Sequence, residues 1–178
     1  MVAVLVVAAV VARRWGHHRT NERIGYALLV VLTAGLLAGI ANLLLGVLRH
    51  SQPAGDLLRS ASILWITNVI VFASWYWRID AGGPNARERR VAHTRGAFLF
   101  PQMSVDSPDS EGGKSIAENE GWRPEFIDYL FVAFNTSTAF SPTDAPVLSR
   151  WAKGAMMVQS TISFTTVVLL AARAVNML

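Results

Sequence analysis

The stretch that decides the fold is IGYALLVVLTAGLLAGIANLLLGVL, residues 24–48, which holds 25 residues without a charged side chain between Arg23 and Arg49. A helix that crosses the hydrocarbon core of a bilayer needs about 20 predominantly apolar residues. Within hydrocarbon the backbone must satisfy its own hydrogen bonds, so this stretch must be helical. The chain is therefore predicted to be an integral membrane protein.

Further segments of the same character follow along the chain. Residues 60–77 and 154–172 lack charge, and we predict helices over 60–77 and 145–176. A helix over residues 124–141 would measure about 27 Å, close to the about 30 Å of a bilayer core. That segment is predicted either to span the membrane or to be re-entrant, entering and leaving on one side.

The remaining segments complete the predicted architecture. Residues 1–12 are apolar but reach only about 18 Å as a helix, so we interpret them as the end of a truncated spanning helix. Residues 78–121 are predicted to form a partly disordered loop, in which the apolar island FLFPQM, residues 98–103, docks on the bilayer surface or the bundle. Residues 1–178 thus form one membrane domain, an all-α integral membrane helical bundle of four to five helices with one long polar loop.

The distribution of arginine and lysine predicts the orientation. If 124–141 spans, segments 13–23 and 78–95 lie on one side with nine arginines, against four basic residues on the other side. Because cytoplasmic loops carry the excess of basic residues, we predict that the long loop and the C-terminus are cytoplasmic. The preference for arginine over lysine, with abundant Ala, Val and Gly, indicates a bacterial source and hence an inner membrane.

The amino-acid composition argues against disulfides, metal sites, catalytic sites and nucleic-acid binding. The chain has no cysteine, which excludes disulfides, thiolate metal sites and cysteine nucleophiles. The four histidines lie in predicted loops without metal-ligand spacing, and no catalytic motif occurs. We therefore predict no catalytic residue, no metal, no cofactor and no enzyme activity. The net charge of +4 comes from arginines that flank membrane segments, and no basic stretch is interleaved with aromatics as a nucleic-acid surface requires.

A small-residue stripe lies within the first long helix. Gly35 and Gly39 form a GxxxG pair, and Asn42 and Gly46 continue it at helical spacing. Glycines let two helix backbones approach closely in a membrane. The stripe predicts tight helix packing inside the bundle, with contact to a second copy of the chain as the alternative.

Two polar faces lie on the last two helices. They comprise Asp128, Asn135 and Thr138 on one helix and Gln159, Ser163 and Thr166 on the next. Polar faces on consecutive helices are expected to turn towards each other, and an ionisable residue within a membrane is a functional candidate. One interpretation is a polar path for small ions. The other is that the amides Asn42, Asn68, Asn135 and Gln159 bond one another and hold the bundle together.

Several stretches resemble a family of uncharacterised bacterial multi-pass membrane proteins. They are WITNVIVFASWYW at 65–77, FLFPQM at 98–103, FIDYLFVAFNTSTAFSPTD at 126–144, RWAKGAMMVQS at 150–160 and ARAVNML at the C-terminus. The resemblance implies a multi-pass fold and no established activity. Residues 126–172 also resemble the pore region of two-helix cation channels, in which an acid-aromatic helix, a Thr-rich filter ending in Asp and an inner helix follow in order.

The resemblance to channels is incomplete. The familiar potassium filter points successive carbonyls into the pore and uses glycines to hold that backbone, whereas residues 139–143 contain none. The sequence therefore favours a membrane scaffold or interaction protein, whose partners are the lipid bilayer and a second copy. The alternative is a channel- or transporter-like protein in which small cations pass along the polar faces.

Overall fold

The computed structural model describes residues 18–49, 53–93, 95–105, 115–138 and 145–175. These residues form helices and connecting segments, with no strand among them beyond an isolated antiparallel bridge between Phe98 and Val147. Three helices are long and apolar enough to cross a membrane. The α-helices are α1 His18–Leu48, α2 Ala54–Ile79, α3 Pro84–Glu88, α4 Ile116–Glu120, α5 Phe126–Thr138 and α6 Arg150–Val175.

The two N-terminal helices of the bundle extend beyond their charge-free stretches. Helix α1 begins six residues before the predicted residue 24, and α2 begins at Ala54, so that Asp56 and Arg59 lie within it. Absence of charge marks the part of a helix that suits hydrocarbon, whereas the helix itself continues into the headgroup region. The predicted helix over 1–12 lies outside the described residues.

Helix α2 is the centre of the bundle and packs against α1, α5 and α6. Helix α1 runs antiparallel to it, because Tyr26 near the start of α1 donates to the carbonyl of Arg78 at 3.1 Å. At the other end, Leu43 of α1 packs with Leu57 of α2 and with Leu169 of α6. We use the term loop end for the end of the bundle where α2 finishes. We use the term opposite end for the end of the bundle where α2 begins.

The small-residue stripe is only partly a packing face. A Cβ on Gly39 would lie 2.6 Å from Leu64 Cδ2 of α2, so this glycine makes a close helix contact. Gly46 is also buried. Gly35 has nothing within 4 Å of a Cβ position, and Asn42 is exposed. Gly39 and Gly46 therefore pack inside the bundle, whereas Gly35 and Asn42 do not, because the buried face of α1 is set by its leucines and Ile40. Contact of Gly35 and Asn42 with a second copy, the alternative, stays a prediction.

Replacement of Gly39 and of an exposed glycine outside the stripe should have unequal effects. Gly39→Ile should lower the free energy of unfolding by about 1–3 kcal/mol, because the added bulk must displace Leu64 from a packed position. Gly154→Ile is the control, because Gly154 of α6 is exposed with nothing within 4 Å of a Cβ position, and it should change the free energy of unfolding by less than about 1 kcal/mol. Thermal denaturation of both variants in detergent tests this, and equal losses would contradict the described packing.

Helix α5 is short, buried on one side and parallel to α6. Its first turn lies at the loop end, where Tyr129 stacks edge-on to Phe98 with ring centroids 6.0 Å apart. Helix α6 also begins there, since the ring of Trp151 lies 6.2 Å from that of Phe98. The last turn of α5 meets the middle of α6, where Ser163 Oγ donates to the carbonyl of Ser137. Thirteen residues at 1.5 Å each give about 20 Å, so α5 ends part-way through the bundle.

The start of α6 differs from the prediction. The helix begins at Arg150, not at residue 145, because residues 145–148 pair with the segment after α3. Leu148 N–H donates to the carbonyl of Ala97 at 2.7 Å, and Leu99 N–H donates to that of Pro146 at 2.9 Å. This pairing holds residues 145–148 extended at the loop end. The end of the predicted helix over 124–141 falls in residues 139–144, outside the described part.

Helix α5 therefore starts at the loop end, and the chain is again at the loop end when α6 begins. Helix α6 then runs to the opposite end, where Leu169 and Leu170 pack beside Leu57. This arrangement differs from the prediction that the long loop and the C-terminus share a side. That prediction counted 124–141 as a full span.

Much of the long loop is packed. Phe98 and Phe100 are 0% and 4% exposed and join the core beside Tyr76 and Tyr129. The prediction that residues 98–103 dock is therefore confirmed, and the surface on which they dock is the bundle. Gly83 lies between the 3-10 turn Asp80–Gly82 and α3 with φ of +87°, and a Cβ there would lie 2.9 Å from the carbonyl oxygen of Arg78. The turn after α2 thus requires glycine. Residues 106–114 lie outside the described part.

Candidate functional site

A buried network joins α2, α5 and α6 at mid-height, and we call it the mid-bundle network. Its centre is Gln159 of α6, which is fully buried. The side-chain amide of Gln159 donates to the carbonyl of Ala133 at 2.7 Å and to Ser137 Oγ at 2.8 Å. Its oxygen accepts from the hydroxyl of Tyr76 at 2.6 Å. One amide thus ties three helices together.

The network also satisfies the buried end of α5. The last carbonyls of a helix have no partner within that helix, and in hydrocarbon no water is present to supply one. Ser163 Oγ donates to the carbonyl of Ser137 at 2.6 Å, and Ser160 Oγ donates to that of Thr136 at 3.3 Å. Polar residues of α6 therefore cap a helix that ends inside the bundle.

Two side chains of α2 complete the mid-bundle network. Trp65 Nε1 donates to Ser163 Oγ at 2.9 Å, and Asn68 Nδ2 donates to the backbone carbonyl of Gln159 at 3.2 Å. Asn68 Oδ1 is buried with no hydrogen-bond partner among the described residues. Apart from that atom, the donors and acceptors named here are paired within the protein.

The predicted polar path maps onto the structure only in part. Gln159 and Ser163 do face α5, but their partner is Ser137, which the sequence-based path left out. Thr166 is buried and bonds within α6. Asn135 is half-buried and Thr138 is exposed. Neither is part of the mid-bundle network.

The ionisable member of the predicted path lies at the loop end. Asp128 is half-buried, and its Oδ2 accepts from the backbone N–H of Glu125 at 2.7 Å. It therefore caps the start of α5, where a negative charge also suits the helix dipole. The structure does not bring Asp128 together with Gln159 or Ser163.

A second buried group lies at the loop end, and we call it the loop-end cluster. It consists of Asp80, Arg87, His93 and Tyr129, of which Asp80 and Tyr129 are fully buried. The carboxylate of Asp80 accepts from the backbone N–H of Ala97 and from the hydroxyl of Tyr129, the latter at 2.6 Å. The end of α2, the long loop and the start of α5 thus meet on one carboxylate.

Arg87 supplies the positive charge of the loop-end cluster. Its Nη1 donates to the carbonyls of Trp77 and Asp80, both at 2.8 Å. Its guanidinium carbon lies 5.0 Å from the centre of the Tyr129 ring. Arg87 therefore caps the end of α2 from the loop, and its Nη2 is buried without a hydrogen-bond partner in the described part of the chain.

His93 is the exceptional member of the loop-end cluster. Its Nε2 lies 3.8 Å from Asp80 Oδ2, and neither ring nitrogen has a hydrogen-bond partner among the described residues. A Cβ on Gly96 would lie 2.9 Å from that nitrogen and from both carboxylate oxygens of Asp80, so only glycine fits there. Burial lowers the pKa of His93; Asp80 acts in the opposite direction, and Arg87 and Arg90 lower it further.

The lowered pKa predicts a loss of stability in acid. The unfolded chain binds a proton at its ordinary pKa near 6.5, before the folded protein does, so the free energy of unfolding should fall as the pH drops below about 6.5. His93→Phe should weaken this dependence, because it removes the titrating group and keeps an aromatic ring. Apparent melting temperatures of both proteins at pH 7.5 and 5.5 test this. An identical acid-induced decrease in the two proteins would contradict the assignment to His93.

Sequence reasoning missed most of the loop-end cluster. It treated His93 as an ordinary loop histidine and did not single out Tyr76 within the charge-free stretch 60–77. Tyr76 is fully buried and bonds Gln159. The signal available in the sequence was the position of Asp80, an acid immediately after an aromatic membrane helix with several arginines following.

Comparison of the chain with protein-family models, curated proteins and solved structures finds no match. The resemblance to uncharacterised bacterial membrane proteins and to cation-channel pores stays a prediction.

Proposed function

We propose that this protein is a membrane permeation protein for small cations, built on a re-entrant helix. The observation that carries the proposal is that α5 enters from the loop end and stops part-way, while α6 begins again at the loop end. A helix that ends inside the hydrocarbon region is tolerated where protein or a water-filled cavity satisfies its backbone. Such half-helices recur at ion and substrate sites, where their C-terminal ends favour cations.

The re-entrant arrangement also bears on orientation. With α5 turning back, Arg150 and Lys153 join the basic residues of the loop end, and the excess of basic charge on that side grows. The rule that cytoplasmic loops are rich in arginine and lysine then places the loop end in the cytoplasm of a bacterial inner membrane. The end of α6 lies on the opposite side.

A permeation path in this protein would form between copies of the chain. Among the described residues of one copy, the mid-bundle network is buried and, apart from Asn68 Oδ1, paired, so it is a poor path for ions. The exposed face of α1 suits a second copy, since Ala34, Gly35, Ala38, Ala41 and Asn42 are exposed there. Small residues permit close helix approach, and an amide can bond across the contact. Homo-oligomer formation through this face is part of the proposal.

The test uses cation flux and cysteine accessibility, because the chain has no cysteine of its own. Purified protein in liposomes should conduct K⁺ or Na⁺ above the rate of protein-free vesicles. Thr138 is exposed at the C-terminal end of α5, so Thr138→Cys should react with a charged thiol reagent, and the reaction should block the flux. Phe131→Cys, exposed on the same helix, is the control and should stay unreactive because it faces lipid.

A membrane scaffold is the second candidate. The observation that favours it is the mid-bundle network, in which the buried amide of Gln159 bonds Tyr76, Ala133 and Ser137 and so holds three helices together. The two functions differ in a single outcome. Background flux of both cations, together with an intact oligomer, would reject permeation and leave the scaffold.

A further inference from the structure

An apolar groove of about 430 Å³ lies between α2 and α5 on the outer surface of the bundle. Its α2 wall includes Trp65, Ile66 and Ile70, and its α5 wall includes Ile127, Phe131 and Phe134. Five of these six side chains are between 47% and 63% exposed, the exception being Trp65. Ile66 and Ile70 lie within a helix apolar enough to cross a membrane, so the groove opens towards lipid.

A cationic side chain, Arg78, lies beside the aromatic residues at the loop end of the groove. Phe126, beside Ile127, makes an edge-on contact with Trp77 at 5.9 Å between ring centroids. The guanidinium carbon of Arg78 lies 5.8 Å from the ring of Trp77 and 5.9 Å from that of Tyr26. Arg78 makes no salt bridge with a carboxylate of the described residues. Its charge is thus held in place by two rings and left without an anionic partner in that part of the chain.

We propose that the groove binds one acyl chain of an anionic phospholipid whose headgroup phosphate pairs with Arg78. The apolar walls match a hydrocarbon chain, and the aromatic pair at the loop end matches the headgroup boundary, where tryptophan is favoured. A basic residue at that boundary attracts anionic lipids over zwitterionic ones. This site is separate from the proposed permeation path and does not depend on it.

The test measures which lipid the purified protein retains. Protein in detergent is incubated with equal amounts of phosphatidylglycerol and phosphatidylcholine of identical chains, and bound lipid is counted by mass spectrometry. We expect about fivefold enrichment of phosphatidylglycerol, the selectivity that one basic residue gives. Arg78→Gln should abolish the enrichment, and Arg78→Lys should retain it. Arg59→Gln, at the opposite end of α2, is the control and should retain it as well.

A second substitution tests the groove itself. Ile66→Trp should fill the groove and lower the number of retained lipids by about one per chain, with the melting temperature unchanged. Enrichment that survives Arg78→Gln would overturn the headgroup assignment. Retention of no lipid by the parent, with Ile66→Trp dissociating an oligomer, would show that a second copy covers the groove and would overturn the proposal.

Discussion

Asp80→Ala should be among the most damaging single substitutions in this chain, with a loss of about 3–5 kcal/mol in the free energy of unfolding, because two buried donors lose their acceptor. The substitution leaves the hydroxyl of Tyr129 and the N–H of Ala97 without that acceptor. It also removes the carboxylate that lies 3.8 Å from His93 Nε2. The apparent melting temperature in detergent should fall by about 10 °C or more.

The chain offers a matched control for Asp80. Asp56 lies in the first turn of the same helix and is exposed, so Asp56→Ala should cost less than about 1 kcal/mol. Asp80→Asn keeps an oxygen acceptor and should fall between the two. If Asp80→Ala and Asp56→Ala melt at the same temperature, the loop-end cluster does not hold the loop to the bundle.

Gln159→Leu should have the second-largest effect, a loss of about 2–4 kcal/mol. The hydroxyl of Tyr76 loses its acceptor in a buried site, and the mid-bundle network loses its link between three helices. Thr161→Ala is the control, because Thr161 is exposed and its hydroxyl donates within α6 to the carbonyl of Met157. That variant should change stability by less than about 0.5 kcal/mol.

A double substitution separates the lost bond from lost packing. The loss of stability in Gln159→Leu is expected to come from the Tyr76 hydroxyl, which no longer has an acceptor. In that case, adding Tyr76→Phe to the same chain should restore part of the lost free energy of unfolding. Additive losses in the double variant would mean that Gln159 acts through its volume and not through the network. Denaturation of the two single variants and the double variant in one detergent provides the comparison.

The spanning helices were predictable because hydrocarbon selects strongly for uncharged stretches. The structure has three helices that are long and apolar enough to cross a membrane, and residues 24–48 mark the first of them. The predicted bounds were too narrow at the start of α1 and α2, because helices continue past the region from which charge is excluded. The length of 124–141 left two topologies open, since a helix near 27 Å suits either a span or a re-entrant segment.

The loop-end cluster was harder to predict than the helices, although the position of Asp80 was a signal. Asp80, Arg87 and His93 lie in or beside a polar loop, and only tertiary packing brings them together around Tyr129. In the sequence each one looks like a solvated residue. The polar face of α6 was visible at helical spacing, but its role in capping the carbonyls of α5 required knowing that α5 ends inside the bundle.

The central claim, that α5 enters and leaves at the same end, is tested most directly by labelling single cysteines with an impermeant thiol reagent in right-side-out and inverted membrane vesicles. The positions are Glu118 in the long loop, Leu148 after α5 and Arg49 after α1, which are all exposed. A re-entrant α5 predicts that Glu118→Cys and Leu148→Cys label from one side and Arg49→Cys from the other. Labelling of Leu148→Cys together with Arg49→Cys, and opposite to Glu118→Cys, would show that α5 spans the membrane and would contradict the account.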